Sequence, residues 1–326
     1  MTVHKSVLLK EAIENLKIKS GDAVVDATLG GGGHSREILK KIGSEGILVT
    51  IDSDIQAIDS FAEFSIFNFQ FSNKLEILNS KIKKNGNIFL VNDNFANLDS
   101  ILKELKIEKV NAILADFGIS SDQLEEADRG FSFQKDAWLD MRMDQEGEMT
   151  AEKIANNYPE EELARIFSEY GEEKYARSIA KKIVECRKNK PIERTLELVE
   201  IIGDSVPEKY KHQRIHFATR IFQALRIETN KELDSIRKFI SKAIEVLDKK
   251  GRLAVITFHS GEDKIAKEIF RENARGCICP PNFPVCRCGK QPAIKIITKK
   301  PILPMISEIE ANPRSRSAKL RIIEKI

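Results

Sequence analysis

Short apolar runs alternate with amphipathic stretches through the first third of the chain. Residues 23–27, 46–52, 87–91 and 110–116 are each apolar on consecutive positions, and three of the four runs end on or next to an acid, Asp26, Asp52 and Asp116. A strand with one face in water would alternate. Unbroken runs set between helical patterns predict parallel strands covered on both faces. The alternation stops near residue 122. From there to residue 213 the apolar positions recur at helical spacing, over 160–170, 172–188 and 195–202, and 217–247 predicts amphipathic helix in more than one piece. Strand pattern returns at 251–258, and two further runs, 293–298 and 318–323, close the chain. The link between these last two is too short for a crossover helix, which predicts an antiparallel pair at one edge. The expected architecture is an α/β sheet domain formed by residues 1–124 and 213–326, interrupted by a helical domain over 125–212. The Phe-, Asn- and Lys-rich stretch 61–84 has no assigned role.

Composition narrows the class. At 41% hydrophobic and 32% charged residues over 326 positions, the chain can bury a core and is not a disordered tail. No apolar run approaches the roughly 20 residues of a membrane span, and the first residues lack a secretory pattern, so a cytoplasmic location is expected. A net charge of +3 excludes a general polycation. Local distribution says more. Residues 209–227 contain no acid but hold Arg214, Arg220 and Arg226 with two lysines and two histidines. Residues 312–323 again lack acids and hold Arg314, Arg316, Lys319 and Arg321. Such stretches can neutralise phosphates, against the plainer reading of solvated helix and strand faces.

The sharpest local signal is Asp26-Ala27-Thr28-Leu29-Gly30-Gly31-Gly32-Gly33-His34-Ser35, a glycine run between a buried strand and a helix. Glycines there let backbone approach a ligand, and the following helix N-terminus offers unpaired N–H groups. Asp52, about twenty residues on at the end of the second strand, stands where an acid can accept both hydroxyls of a ribose. Together they predict an adenosine cofactor. Three features favour S-adenosylmethionine over a nicotinamide dinucleotide. Asp116 adds a further strand-end acid, four glycines in a row do not match the dinucleotide spacing, and an antiparallel closing pair fits a seven-stranded methyltransferase sheet.

These segments resemble a known family. His4-x-Ser-Val-Leu-Leu-x-Glu11, the 26–35 segment, Asp116-Phe-Gly-Ile-Ser-Ser-Asp-Gln123, Arg129-Gly-Phe-Ser-Phe133 and Leu139-Asp-Met-Arg-Met-Asp144 are similar to the RsmH (MraW) family of bacterial 16S ribosomal RNA cytosine-N4 methyltransferases. So are Tyr170-Gly-Glu-Glu173, Phe222-Gln-Ala-Leu-Arg226, Phe258-His-Ser260 and Asn312-Pro-Arg-Ser-Arg-Ser-Ala-Lys-Leu-Arg321, in the same order from end to end. The resemblance implies a class I S-adenosylmethionine-dependent methyltransferase (Rossmann-like) sheet with an inserted helical domain, acting on 16S rRNA within the small ribosomal subunit. It implies cofactor contacts at Gly32, Gly33, His34, Asp52, Phe95, Asp116 and Gln123. The family's His-Ser-Leu-Glu-Asp-Arg is here His259-Ser260-Gly261-Glu262-Asp263-Lys264, and its His-Pro-Ala-Thr-Arg is His216-Phe-Ala-Thr-Arg220.

Cytosine's exocyclic nitrogen is a poor nucleophile because its lone pair is delocalised into the ring. Alignment with the methyl group and acceptors on its N–H bonds are the help an enzyme can give. Asp116, followed by Phe117-Gly118-Ile119, lacks the Pro-Pro-aromatic device of many amino-methyltransferases. The candidates for the base pocket are Asp116, Asp140, His259 and Ser260, with Arg142 on phosphate beside Arg214, Arg220, Arg226, Arg314, Arg316 and Arg321. Structural hydrogen bonding is the competing reading for each. Cys277, Cys279, Cys286 and Cys288 form two C-x-C pairs that could hold a structural zinc ion, although uncoordinated thiols are the favoured expectation. The rival functions are a methyltransferase acting on DNA or protein, a non-catalytic RNA-binding factor, and an NAD-dependent oxidoreductase.

Overall fold

The computed structural model describes residues 6–68, 75–119, 127–277, 279, 283, 285 and 287–326. Clustering of contacts divides the chain into two compact units, one of residues 1–118 and 233–326 and one of 119–232.

The first unit is built on a nine-stranded mixed sheet. Its strands are β1 (Ala23–Asp26), β2 (Ile47–Asp52), β3 (Glu76–Ile77), β4 (Ile82–Asn85), β5 (Ile88–Asn92), β6 (Val110–Asp116), β7 (Leu247–Thr257), β8 (Ile294–Ile296) and β9 (Lys319–Lys325). The order across the sheet is β3-β4-β5-β2-β1-β6-β7-β9-β8. The central five strands are parallel, with Val24 opposite Leu48 on one side and Ala112 on the other. β9 runs antiparallel to both β7 and β8, so the predicted antiparallel closing edge is present. Consecutive strand residues face opposite layers, and both layers are dry. Val25, Val49, Ile113 and Val255 pack with Phe239, Ile240 and Phe270, while Val24, Leu48, Leu114 and Ile256 pack with Ile38 and Ile58 on the other face. Burial on both sides is why the runs are apolar without alternation.

Helices α1 (Leu9–Leu16), α2 (Gly33–Ile42), α3 (Ile55–Asn68) and α4 (Leu98–Glu104) lie in the N-terminal part of this unit. The described residues of the unassigned stretch 61–84 fall at the end of α3, where Phe61 is buried, and around the β3–β4 hairpin at the sheet edge. The hairpin is too short and polar to show in the sequence, since β3 is two exposed residues.

The second unit is helical: α5 (Ala151–Asn157), α6 (Glu160–Glu169), α7 (Ala176–Cys186), α8 (Thr195–Asp204), α9 (Glu208–Lys211) and α10 (Thr219–Asn230). Ile154, Leu163, Phe167, Ile179, Ile183, Leu198, Ile221 and Leu225 recur every three or four residues and converge on one core. Residues 213–232, expected to begin the return to the sheet domain, belong to this unit instead, because Ile221, Phe222, Ala224 and Leu225 of α10 are buried in the helical core. The sheet unit resumes with α11 (Glu232–Val246), which runs into β7, and is completed by α12 (Ser260–Ala274) and the short α13 (Ile306–Ala311).

Candidate functional site

β1 pairs with β2 on one side and β6 on the other, so consecutive connections leave this point in opposite directions along the sheet. Such a switch leaves a crevice beyond the carboxyl ends of the strands, the usual place for a ligand in an open α/β sheet. Here those ends carry Asp26, Asp52 and Asp116.

The glycine loop is stitched over them. The Leu29 N–H donates to the Ile51 carbonyl (3.0 Å) and the Ala27 N–H to the Leu114 carbonyl (2.9 Å). Asp26 is fully buried and anchors the loop. Its carboxylate accepts the Ser35 hydroxyl (2.6 Å) and the Thr28 N–H (3.2 Å), tying β1 to the first turn of α2. Burial pushes its pKa up to about 7, partly opposed by these two hydrogen bonds and added to by the nearby Asp52. Gly32 adopts φ +71°, and a Cβ there would run into the Phe61 ring. A Cβ on Gly33 would overlap the Ser6 hydroxyl, so neither position accepts a side chain without rearrangement.

Asp52 accepts the Gly30 N–H and the Asp54 N–H, both at 2.8 Å, one on each oxygen. It thereby orients the glycine loop from the carboxyl end of β2. Phe95, just after β5, is half-buried, with its ring centroid 5.4 Å from those of both Phe117 and Phe239. An aromatic face held in this way can take a flat ring.

Asp116 receives support from Thr28, whose hydroxyl accepts the Asp116 N–H at 2.7 Å. The His34 Nδ1 lies 3.9 Å from its Oδ2. Its Oδ1 is buried and has no hydrogen-bond partner among the described residues. Burial, then the fields of Asp26 and Glu262, raise its pKa well above the usual carboxylate range. A buried acceptor without a donor is costly, and a cationic amino group would repair both defects. The three acids therefore fit a ligand with a positive end better than the pyrophosphate of a dinucleotide, and the residues present fit S-adenosylmethionine. Gln123 lies outside the described residues.

The remaining sequence candidates divide sharply. Glu262, buried, accepts the Phe258 and His259 N–H groups (2.7 and 3.3 Å) and lies 3.1 Å from the His259 Nε2. This is a capping box on α12, so His259 is held as a helix cap, whereas Ser260 is exposed. The spacing His259-x-x-Glu262 carried that signal. Gly261, where the family resemblance expects Leu, sits against this cap, and a Cβ there would come within 3.2 Å of the His259 ring.

In the helical unit, Asp140 takes a bidentate fork from Arg142 (2.8 and 2.7 Å), and the remaining Arg142 Nη1 donates to the Gln145 and Gly147 carbonyls. Burial raises the Asp140 pKa, but the Arg142 hydrogen bonds and charge outweigh it and the net shift is downward. The Asp140 carboxylate is thus engaged by Arg142, and Arg142 organises its own loop, which counts against both a base-pocket and a phosphate role in this arrangement. Arg226 is likewise committed, bidentate to Glu232 (2.8 and 2.9 Å), and Arg321 grips Asp263 (2.6 and 3.0 Å). Both are nearly buried, which counts against phosphate contacts there. Arg220 donates to the Glu172 carbonyl at 2.7 Å. Arg214, Arg314 and Arg316 are exposed. Asp26, Thr28 and Glu262 were not expected as site residues. Their roles are support from behind, which a single sequence does not distinguish from ordinary strand-end and cap chemistry.

The MraW methylase family matches residues 1–326, the whole chain. The chain belongs to this family. It is 52% identical over 323 residues to a "Ribosomal RNA small subunit methyltransferase H" from Clostridium botulinum (strain Loch Maree / Type A3), covering 99% of each chain. It is 48% identical over 323 residues to the protein of the same description from Clostridioides difficile (strain 630), again covering 99% of each. The chain is thus a methyltransferase.

Proposed function

We propose that this chain transfers the methyl group of S-adenosylmethionine to N4 of a cytidine in the 16S rRNA of the small ribosomal subunit. The observation that carries the cofactor reading is the buried Oδ1 of Asp116, an acceptor without a donor at the carboxyl end of β6. The RNA reading rests on the full-length relatives described as ribosomal RNA small subunit methyltransferases.

S-adenosylmethionine supplies an electrophilic methyl group on a sulfonium. Asp116 would accept its amino group, Asp52 its ribose hydroxyls, and Phe95 would pack on its adenine. Gly32 and Gly33 would admit its methionine part, with His34 beside it. Because Asp116 is raised when free, gaining a cationic partner favours its ionised form, so cofactor binding releases a proton and tightens as pH rises. Asp140 is bound by Arg142, and the His259 Nε2 lies 3.1 Å from the buried Glu262 carboxylate. The chain therefore assists the weak nitrogen nucleophile mainly by alignment: N4 would take the methyl group as its bond to sulfur breaks and S-adenosylhomocysteine leaves, and the surplus N4 proton would pass to solvent water. Phosphate contacts are assigned to the exposed Arg214, Arg314 and Arg316.

Labelled methyl transfer to small ribosomal subunits, followed by nucleoside analysis, tests this. N4-methylcytidine in 16S rRNA is the expected product. Label in DNA or protein alone, or none with cofactor bound, would replace the proposal with one of the rival acceptors or with a non-catalytic RNA-binding factor.

A further inference from the structure

Between α12 and β8 lie residues 275–293, and none of the described ones belongs to a helix or strand, a long connection inside a compact domain. Its base is tied down, with the Ala293 N–H on the Asn273 carbonyl (2.9 Å) and the Lys290 ammonium on the Glu272 carbonyl (2.8 Å). Among its described residues, Phe283 and Val285 are 46% and 69% exposed. What converges is sulfur. The Sγ atoms of Cys277, Cys279 and Cys288 all lie within 4.8 Å of one another, and those of Cys277 and Cys288 are 3.8 Å apart.

We propose that Cys277, Cys279 and Cys288 bind a structural zinc ion. Zinc–thiolate bonds of about 2.3 Å at the tetrahedral angle put sulfurs about 3.8 Å apart, which is the Cys277–Cys288 separation and nearly twice a disulfide's S–S length of about 2.05 Å. Two sulfurs accept backbone hydrogen bonds, Cys277 from the Cys279 N–H and Cys279 from the Arg287 N–H, both at 3.4 Å. Donors aimed at sulfur stabilise a thiolate, the form that ligates metal. The Arg275 Nε holds the Cys277 carbonyl at 3.0 Å and fixes that end of the cluster. In the sequence Cys286 pairs with Cys288 as Cys277 does with Cys279. It lies outside the described residues, and the three converging sulfurs carry the site without it. All three stand apart from Asp26, Asp52 and Asp116 in sequence and in chemistry. The ion ties the two ends of this segment together by coordination.

Zinc content decides the matter. The full chain, purified with reductant, reconstituted with Zn(II) and desalted, should retain about one zinc per chain. The Cys277→Ser/Cys288→Ser double variant should retain less than about a tenth of that, and Cys186→Ser should retain all of it. Cobalt(II) in place of zinc should give thiolate-to-metal charge-transfer absorption in the wild type and none in the double variant. Chelation should speed amide exchange over residues 275–293 while S-adenosylmethionine still binds, which separates this site from the cofactor crevice. No metal retained by the reduced wild type, or equal retention by the double variant, would overturn the proposal.

Discussion

At the carboxyl ends of β1 and β6 two acids face no guanidinium or ammonium group among the described residues, while elsewhere acids of the same kind are gripped by arginine. Asp26 takes a hydroxyl and an N–H, and Asp116 has a buried oxygen without a donor. Both are pushed up, chiefly by burial. Asp140 and Asp263 feel burial too, but the forks of Arg142 and Arg321 bring them down. Asp136, on the surface, is lowered by its hydrogen bond to Arg194. The chain has cations in plenty, and among the described residues no guanidinium or ammonium group pairs with either of these two acids. A site that leaves acids uncompensated in this way is arranged for a ligand that brings the positive charge, and perturbed acids cluster where binding or chemistry occurs.

The largest effect should come from breaking one of the compensated pairs. Arg226→Ala leaves Glu232 buried without its fork, and the helical unit should lose about 3 kcal/mol of stability, as breaking a buried ion pair does. Urea unfolding measures it. A loss below about 1 kcal/mol would mean that the pair is far wetter than its burial indicates.

Asp26 offers the opposite case. Its folded pKa of about 7 lies above the unfolded value, so its contribution favours the native state below about pH 4 and is lost as pH rises through 7. Asp26→Asn removes the titration. Between pH 5 and pH 7 the variant should gain about 2 kcal/mol relative to wild type. A constant difference across that window would show that Asp26 is not raised.

Asp52→Ala should weaken S-adenosylmethionine binding at least about tenfold, roughly 1.4 kcal/mol, by removing the ribose acceptor and loosening Gly30. Unchanged affinity by calorimetry in a folded variant would refute the ribose assignment. The smallest effect separates paired from exposed arginines. Arg214→Ala and Arg316→Ala should each reduce the slope of log K against log salt for subunit binding by roughly 0.7 to 0.9. Equal slopes in wild type and variants, with cofactor binding intact, would remove these residues from the RNA footprint.

Much of the sheet was legible in the chain. Unbroken apolar runs ending in Asp26, Asp52 and Asp116 can only be strands covered on both faces, and a glycine run after the first of them marks where backbone must come close to a ligand. The β3–β4 hairpin was not legible, because β3 is two exposed residues and the four of β4 are too few to show a pattern. Nor was the unit to which residues 213–232 belong, since an amphipathic helix announces its apolar face and not what that face will meet. The arginines divide along the same line. Sequence places Arg214 and Arg226 in one acid-free stretch, but an acid six residues beyond Arg226, and one fifty-eight before Arg321, pair with them only once the chain is folded. Residue type and periodicity therefore determined the strands, the glycine turn and the acids at their ends. Tertiary structure alone decided which charges are compensated, because that depends on distance and burial, and it brought three sulfurs to one point.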